Sequence, residues 1–224
     1  GEVYFLSGVQ APTRYRTQHA KFLLIDDRRA LIGSENLNPT GMPSDGKGDG
    51  TIGRRGVYLM TDAPGVVGRV RAIMIADMDP VHHGDIVTCA QAPDLCMGSA
   101  PLPEPNWTSY TVAFSQPLTL QGRFAFEVVQ APDTSLRDQD ALLGLVARAG
   151  PGDTLLVEQF HEPVHWGAST ATPQTAPNPR LEAYVEAARR GARVRVLLDR
   201  YFNQADNAVT AAYLEDIARR EGLS

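Results

Sequence analysis

The chain has 224 residues, of which 43% are hydrophobic and 21% charged, and its formal net charge is -5. That length suits one large domain or two small ones, and either arrangement can bury most of its surface. The acidic balance gives no footprint for general nucleic-acid binding, no apolar run approaches the roughly 20 residues of a membrane-spanning helix, and the opening GEVYFLSG lacks the basic start and apolar core of a signal peptide.

In chain order, VYFLSG reads as a short strand, and HAKFLLID and RALIGSENL read as two more. Asp26, Asp27, Arg28 and Arg29 form a polar turn between the last two, which predicts a hairpin. GMPSDGKGDGTIGRRG is a Gly-rich loop. Its DGKGDG stretch fails as a calcium loop, because Lys47 takes a ligand position and Gly56 stands where a bidentate Glu belongs. VYLMTD is a further strand. Val66, Val67, Val70, Ile73 and Met74 then recur at helical spacing, with Thr61 or Asp62 to cap the helix, Pro64 in its first turn and Pro80 to stop it.

Residues 81 to 109 read as an irregular surface connection containing Pro93, Pro101, Pro103 and Pro105. Residues 110 to 130 alternate weakly, enough for one or two strands. Cys89 and Cys96, the two cysteines of the chain, would close a small loop. A disulfide worth about 2.5 kcal/mol and a pair of reduced thiols both stand open. A bridge would favour a secreted or cell-envelope location; localisation is otherwise open.

Beyond residue 130 the rhythm changes. SLRDQDALLGLVARAG reads as a helix capped by Ser135 and DTLLVEQF as a buried strand. NPRLEAYVEAARRG is a helix entered through Pro179 and ended at Gly191, ARVRVLLD a strand, and AVTAAYLEDIARREG a last helix ended at Gly222. This alternation predicts parallel α/β structure. GASTATPQTAPNP is a polar loop, a lid or a disordered segment. His161 and His165 stand four apart, but Pro163 between them spoils a helical metal pair. Glu158, Gln159 and Asp199 fall at strand ends, where α/β sheets gather ligands, and structural roles are expected for them.

The stretch TQHAKFLLIDDRRALIGSEN carries the chemistry. Alternation along a strand sends His19 and Lys21 to one side and gives Ser34 and Asn36 a common side. Pairing through the turn can then gather an imidazole, an ammonium, a hydroxyl and an amide into one small volume. Such a set suits a phosphate: Lys21 brings charge, Ser34 and Asn36 bring donors, and His19 brings a nucleophile or a proton. Asp26, an odd number of residues from Lys21, leaves that face and anchors the turn.

His19-x-Lys21-x4-Asp26, followed by Gly33-Ser34-x-Asn36, resembles the HKD motif of the phospholipase D superfamily. The likeness runs on through GRRGVYLMTDAPGVVGRVRAIMIADMD, although Arg54 and Arg55 stand where many members have Asn or Glu and so receive no role. Residues 131 to 224 resemble the opening half of a second such domain. The resemblance implies a mixed sheet flanked by helices, phosphodiester hydrolysis or transphosphatidylation in lipid metabolism, and a phosphohistidine intermediate. It implies two HKD motifs meeting at one site, with no cofactor and no metal, because lysines and asparagines neutralise the phosphate. Only one motif is present here, since His82, His83, His161 and His165 have no Lys two residues on.

The expectation is therefore an α/β chain of phospholipase D-like architecture, a fragment or a circularly permuted single domain. Residues 1–130 would be the closing half of one domain with its Pro-rich connection, and 131–224 the opening half of the next. The expected site is His19, Lys21, Ser34, Asn36 and Asp26, acting on a phosphodiester, foremost a phospholipid. The second motif would come from a missing segment or a homodimer partner, and no transmembrane segment is expected. The rivals are a nuclease of the same superfamily and a chain inactive alone that serves as an assembly half.

Overall fold

The computed structural model describes residues 4–7, 10–15, 18–37, 56–93, 118–131, 133–199 and 203–223. The DGKGDG stretch at 45–50, Arg54, Arg55 and Cys96 lie outside them. The fold is mixed α/β, with four helices and three small sheets among the described residues. It divides into two compact units, Gly1–Phe126 and Glu127–Ser224.

In the first unit, β1 (Tyr4–Leu6) pairs antiparallel with β5 (Ile86–Thr88), and β2 (Phe22–Ile25), β3 (Arg29–Gly33) and β4 (Tyr58–Thr61) form an antiparallel sheet in that order. The expected hairpin is β2–β3. Asp26 and Asp27 take φ of 51° and 52°, and the Arg28 N–H closes onto the Ile25 carbonyl at 2.9 Å. Asp tolerates this left-handed backbone better than most residues, so the two aspartates make the tight reversal possible. Helix α1 (Pro64–Asp77) packs on β2 and β3. It buries Val66, Val67 and Val70, and Ala30 is fully buried on the sheet. Its N-cap is Ala63, with Pro64 opening the helix. The expected cap residue Thr61 instead accepts the Ala63 N–H on its Oγ1 at 3.1 Å. It fixes the approach to the helix two residues too early in the chain to cap it.

Strand β5 falls inside the segment expected to be irregular. It exists because β1 supplies its ladder, with Phe5 opposite Val87. Cys89, one residue beyond it, is disulfide-bonded. No strand forms over the described residues 118 to 130, where the sequence suggested one or two. There Phe124 and Phe126 meet edge to face at 6.1 Å, and most of the segment is exposed. Weak alternation makes a strand only where a neighbour takes its backbone groups; residues 110 to 117 lie outside the description.

The second unit holds α2 (Ala141–Ala147), β6 (Thr154–Gln159), α3 (Pro179–Arg189), β7 (Arg193–Leu198) and α4 (Gln204–Glu221). β6 and β7 pair in parallel, as the alternation predicts, from Thr154 opposite Arg193 to Gln159 opposite Leu198. Val146, Leu181, Tyr184, Ala187 and Ala192 form the core, with Leu155, Val157, Val194 and Leu214 against it. Asn178 caps α3 by accepting the Arg180 N–H at 3.0 Å, and Gly222, at φ 68°, ends α4 in the left-handed conformation that glycine adopts without strain.

The helix expected from Ser135 begins only at Ala141. Ala141 has φ 55°, which breaks any continuous helix from 135, and its N–H is received by the Glu127 carboxylate at 2.6 Å. At the other end Arg190 donates to the Val146 and Ala149 carbonyls at 2.9 and 3.0 Å. α2 is thus fixed at both ends by side chains distant in sequence.

Candidate functional site

Residues 10–15 and 18–21 precede β2, and Arg14, Tyr15 and Gln18 are anchored by the C-terminal end of α1 and the turn after it. The Arg14 backbone N–H donates to Asp85 at 2.7 Å, and its guanidinium pairs with the same carboxylate at 2.9 Å. Tyr15 and Gln18 donate to the two oxygens of Asp77 at 3.2 and 2.9 Å. His19 therefore leaves a tethered segment, and its own side chain is exposed.

Lys21 donates from Nζ to the His19 carbonyl at 2.7 Å, which leaves two ammonium protons for other acceptors. Burial lowers its pKa below 10.5, while the charge of Glu35 acts in the opposite direction. The β2–β3 ladder continues past its last strand pair, because the Gly33 N–H donates to the Lys21 carbonyl at 2.9 Å. Lys21 thus stands opposite Gly33, and strand alternation carries it to the face of Leu23 and Ile25, away from α1. That face also holds Leu31 and Met60, directly opposite one another in the register. Leu23, Ile25 and Met60 are 44%, 51% and 64% exposed, so the ammonium borders an open apolar strip.

The remaining expected residues are distributed as follows. Asp26 lies in the turn at the far end of the hairpin, with φ 51°. Ser34 accepts the Val57 N–H on Oγ at 3.0 Å and donates its own N–H to the Val57 carbonyl at 3.1 Å. The site end of β3 is thereby fastened to the chain entering β4, with the hydroxyl proton still able to donate. The Asn36 side chain is exposed, and its carbonyl accepts from Tyr58 Oη at 3.4 Å. Tyr58 also donates to the Glu35 carbonyl at 3.0 Å. The structure thus gathers His19 and Lys21 directly and brings Ser34 and Asn36 to the same end of the hairpin. No hydrogen bond joins the two pairs among the described residues.

Glu35 is the residue that sequence reasoning passed over. It occupies the open position of Gly-Ser-x-Asn, its carbonyl is held by Tyr58, and its charge acts on both Lys21 and Tyr58.

Gly33 is explained by the same neighbourhood. A Cβ there would come within 2.2 Å of the Tyr58 ring, so the motif glycine makes room for the tyrosine that holds residues 35 and 36.

In the second unit, His161 and His165 serve separate contacts. The His161 Nε2 meets Asp206 at 2.9 Å, and His165 bridges to Pro177. Glu162, fully buried, accepts from Asn178 at 2.6 Å and Arg180 at 2.7 Å, in keeping with a structural role. A mostly apolar cavity of about 240 Å³ is lined by Tyr184, Val194, Leu198, Leu214 and Ile217 among others, with the Glu215 carboxylate, which would repel an anion, as its charged lining residue. Among the described residues no group of His, Cys, Asp or Glu is arranged to hold a metal ion, and no helix is long and apolar enough to cross a membrane.

No protein-family model matches the chain, and no curated protein matches it.

Proposed function

We propose that the first unit carries one half of a two-motif phosphodiester site of phospholipase D type, within a phospholipase D-like fold, and that its substrate is a phospholipid. The observation that carries this reading is the folding of the motif as one hairpin. Asp26 makes its turn, and at the open end Lys21 is tied to His19 beside the Gly33-Ser34 corner.

In this reading the exposed His19 imidazole attacks phosphorus, forming an N–P bond as the bond to the leaving alcohol breaks. The leaving oxygen takes a proton from a histidine of a second motif. Water or another alcohol then displaces His19 from phosphorus, giving hydrolysis or transphosphatidylation. Lys21 offsets the charge on the phosphoryl oxygens. The open strip of Leu23, Ile25 and Met60 beside Lys21 favours an amphiphilic substrate over a polynucleotide, as does the net charge of -5.

The test is turnover of phosphatidylcholine vesicles and of single-stranded DNA by the chain paired with a second motif. His19→Ala should abolish turnover while leaving the far-UV spectrum unchanged. Lys21→Ala should lower the rate on the order of 10²-fold or more. Retained activity in His19→Ala, or a phosphohistidine trapped on another residue, rules the assignment out. Faster turnover of DNA than of lipid overturns the substrate.

A further inference from the structure

We propose that the cavity between α3, β7 and α4 is a binding site for a small amphiphilic cation, an ammonium group carrying an apolar body larger than benzene. The side chains around it account for the space. Val194, Val196 and Leu198 line it from β7. Helix α4 contributes Ala211, Leu214, Glu215 and Ala218, a stripe of residues three and four apart that share one helix face. Ala188 lines it from α3. Three alanines thus stand where longer side chains would close the helices over the strand, and about 240 Å³ is left unfilled. In another protein a cavity of roughly 150 Å³ with aliphatic and aromatic walls admits benzene, so this one has room for a larger hydrocarbon body.

The charge of the occupant follows from Glu215. It is exposed and is the cavity's charged lining residue, so it stands at the rim. Every other carboxylate on α3 and α4 has a partner. Glu182 accepts from Tyr213, Glu186 and Glu221 pair with Arg189, Asp206 meets His161, and Asp216 holds Arg219 and Arg220. Arg219, one turn beyond Glu215, is thus drawn to Asp216, at 2.6 Å. Glu215 has neither a hydrogen bond nor an ion pair among the described residues. An ammonium at the rim would complete it, while the hydrocarbon body displaced solvent from Val194 and Val196. An alkyl carboxylate or alkyl phosphate would meet like charge there. This site belongs to the second unit, uses neither His19 nor Lys21, and stands or falls apart from the phosphodiester reading.

The experiment titrates the full chain at neutral pH with hexylammonium, hexanol and hexanoate in turn, reading methyl shifts of Val194, Val196, Leu198 and Leu214 by NMR. Hexylammonium should bind tightest. Glu215→Gln should weaken it roughly two- to fivefold, the worth of one exposed ion pair, and tighten hexanoate by a similar factor. Ala218→Leu should fill the gap and block all three probes, with Ala211→Leu as the second filling variant. Glu215→Gln is a surface change, so the charge test holds whether or not the filled variants fold. Equal affinity for the three probes, or hexylammonium binding that ignores Glu215→Gln, overturns the cationic ligand. Absence of saturable shifts in the wild-type chain, or shifts that persist in a folded filling variant, overturns the site. A dimer seen by light scattering that Ala218→Leu dissociates assigns the cavity to a second copy and overturns the proposal as well.

Discussion

Gly33 and Tyr58 show how one small residue holds a site together. The ring of Tyr58 occupies the space a side chain at 33 would need, and its hydroxyl then reaches the carbonyls of Glu35 and Asn36 at 3.0 and 3.4 Å. Gly33→Ala should push the ring aside and release both contacts, costing on the order of 1–3 kcal/mol as an overpacking substitution. A urea titration of the variant checks this, and an unchanged midpoint would mean the ring has room to move. The hairpin that carries His19, Lys21, Ser34 and Asn36 was legible in the sequence, because its apolar runs and polar turn are local. Glu35 was not, because its nearness to Tyr58 and Gly56 depends on how β3 meets the chain entering β4, and the motif leaves its position unspecified.

At the scale of elements, two polar anchors outside the sheets decide where the chain goes. Asp85, only 2% exposed, is driven up in pKa by burial. The Arg14 backbone N–H, its guanidinium bonds and its charge outweigh that and hold the carboxyl below its ordinary 3.8. A depressed carboxyl contributes stability that is complete above the unfolded-state value and is lost as pH falls through the folded one. The first unit should therefore lose stability below about pH 4, and Asp85→Asn should flatten that acid limb in a thermal-melt series. In the second unit Asn207 donates to the Phe160 and Asp199 carbonyls at 3.0 and 2.6 Å and accepts the Glu162 N–H at 2.9 Å. It thereby joins the ends of β6 and β7 to α4. Asn207→Ala strands those buried groups and should cost about 2 kcal/mol, read as a lower denaturant midpoint.

The long periodic helices α1, α3 and α4 and the strands of the β2–β3–β4 sheet and the β6–β7 pair were readable from apolar spacing and punctuating Pro and Gly. The start of α2 was not. Its first N–H is received by Glu127, and a partner fourteen positions upstream leaves no trace in local periodicity. β5 was missed for a related reason: three residues are too few to show a period, and only β1 makes them a strand.

For the whole molecule, the proposed two-motif mechanism would set a limit on what one copy can do. An in-line displacement needs a nucleophile on one side of phosphorus and a proton donor on the leaving oxygen, and one His19 cannot stand at both. General-acid help is worth about 10²- to 10⁴-fold, so these 224 residues should be nearly silent as a monomer. Activity should appear when two copies or a supplied motif complete the site. Enzyme-rate turnover of an alkyl phosphodiester by protein shown by light scattering to be monomeric would overturn the two-histidine mechanism. The parallel β6–β7 pair carries a consequence of another kind. Leu156 and Leu197 are 71% and 62% exposed on its outer face, which would invite another apolar surface to stack on it. Directly across from them stand Arg195 and Glu158, charged gatekeepers that interrupt any neutral β-prone patch. That guard is electrostatic and weakens as ions screen it, so this chain's colloidal stability is greatest in dilute buffer and erodes as salt rises.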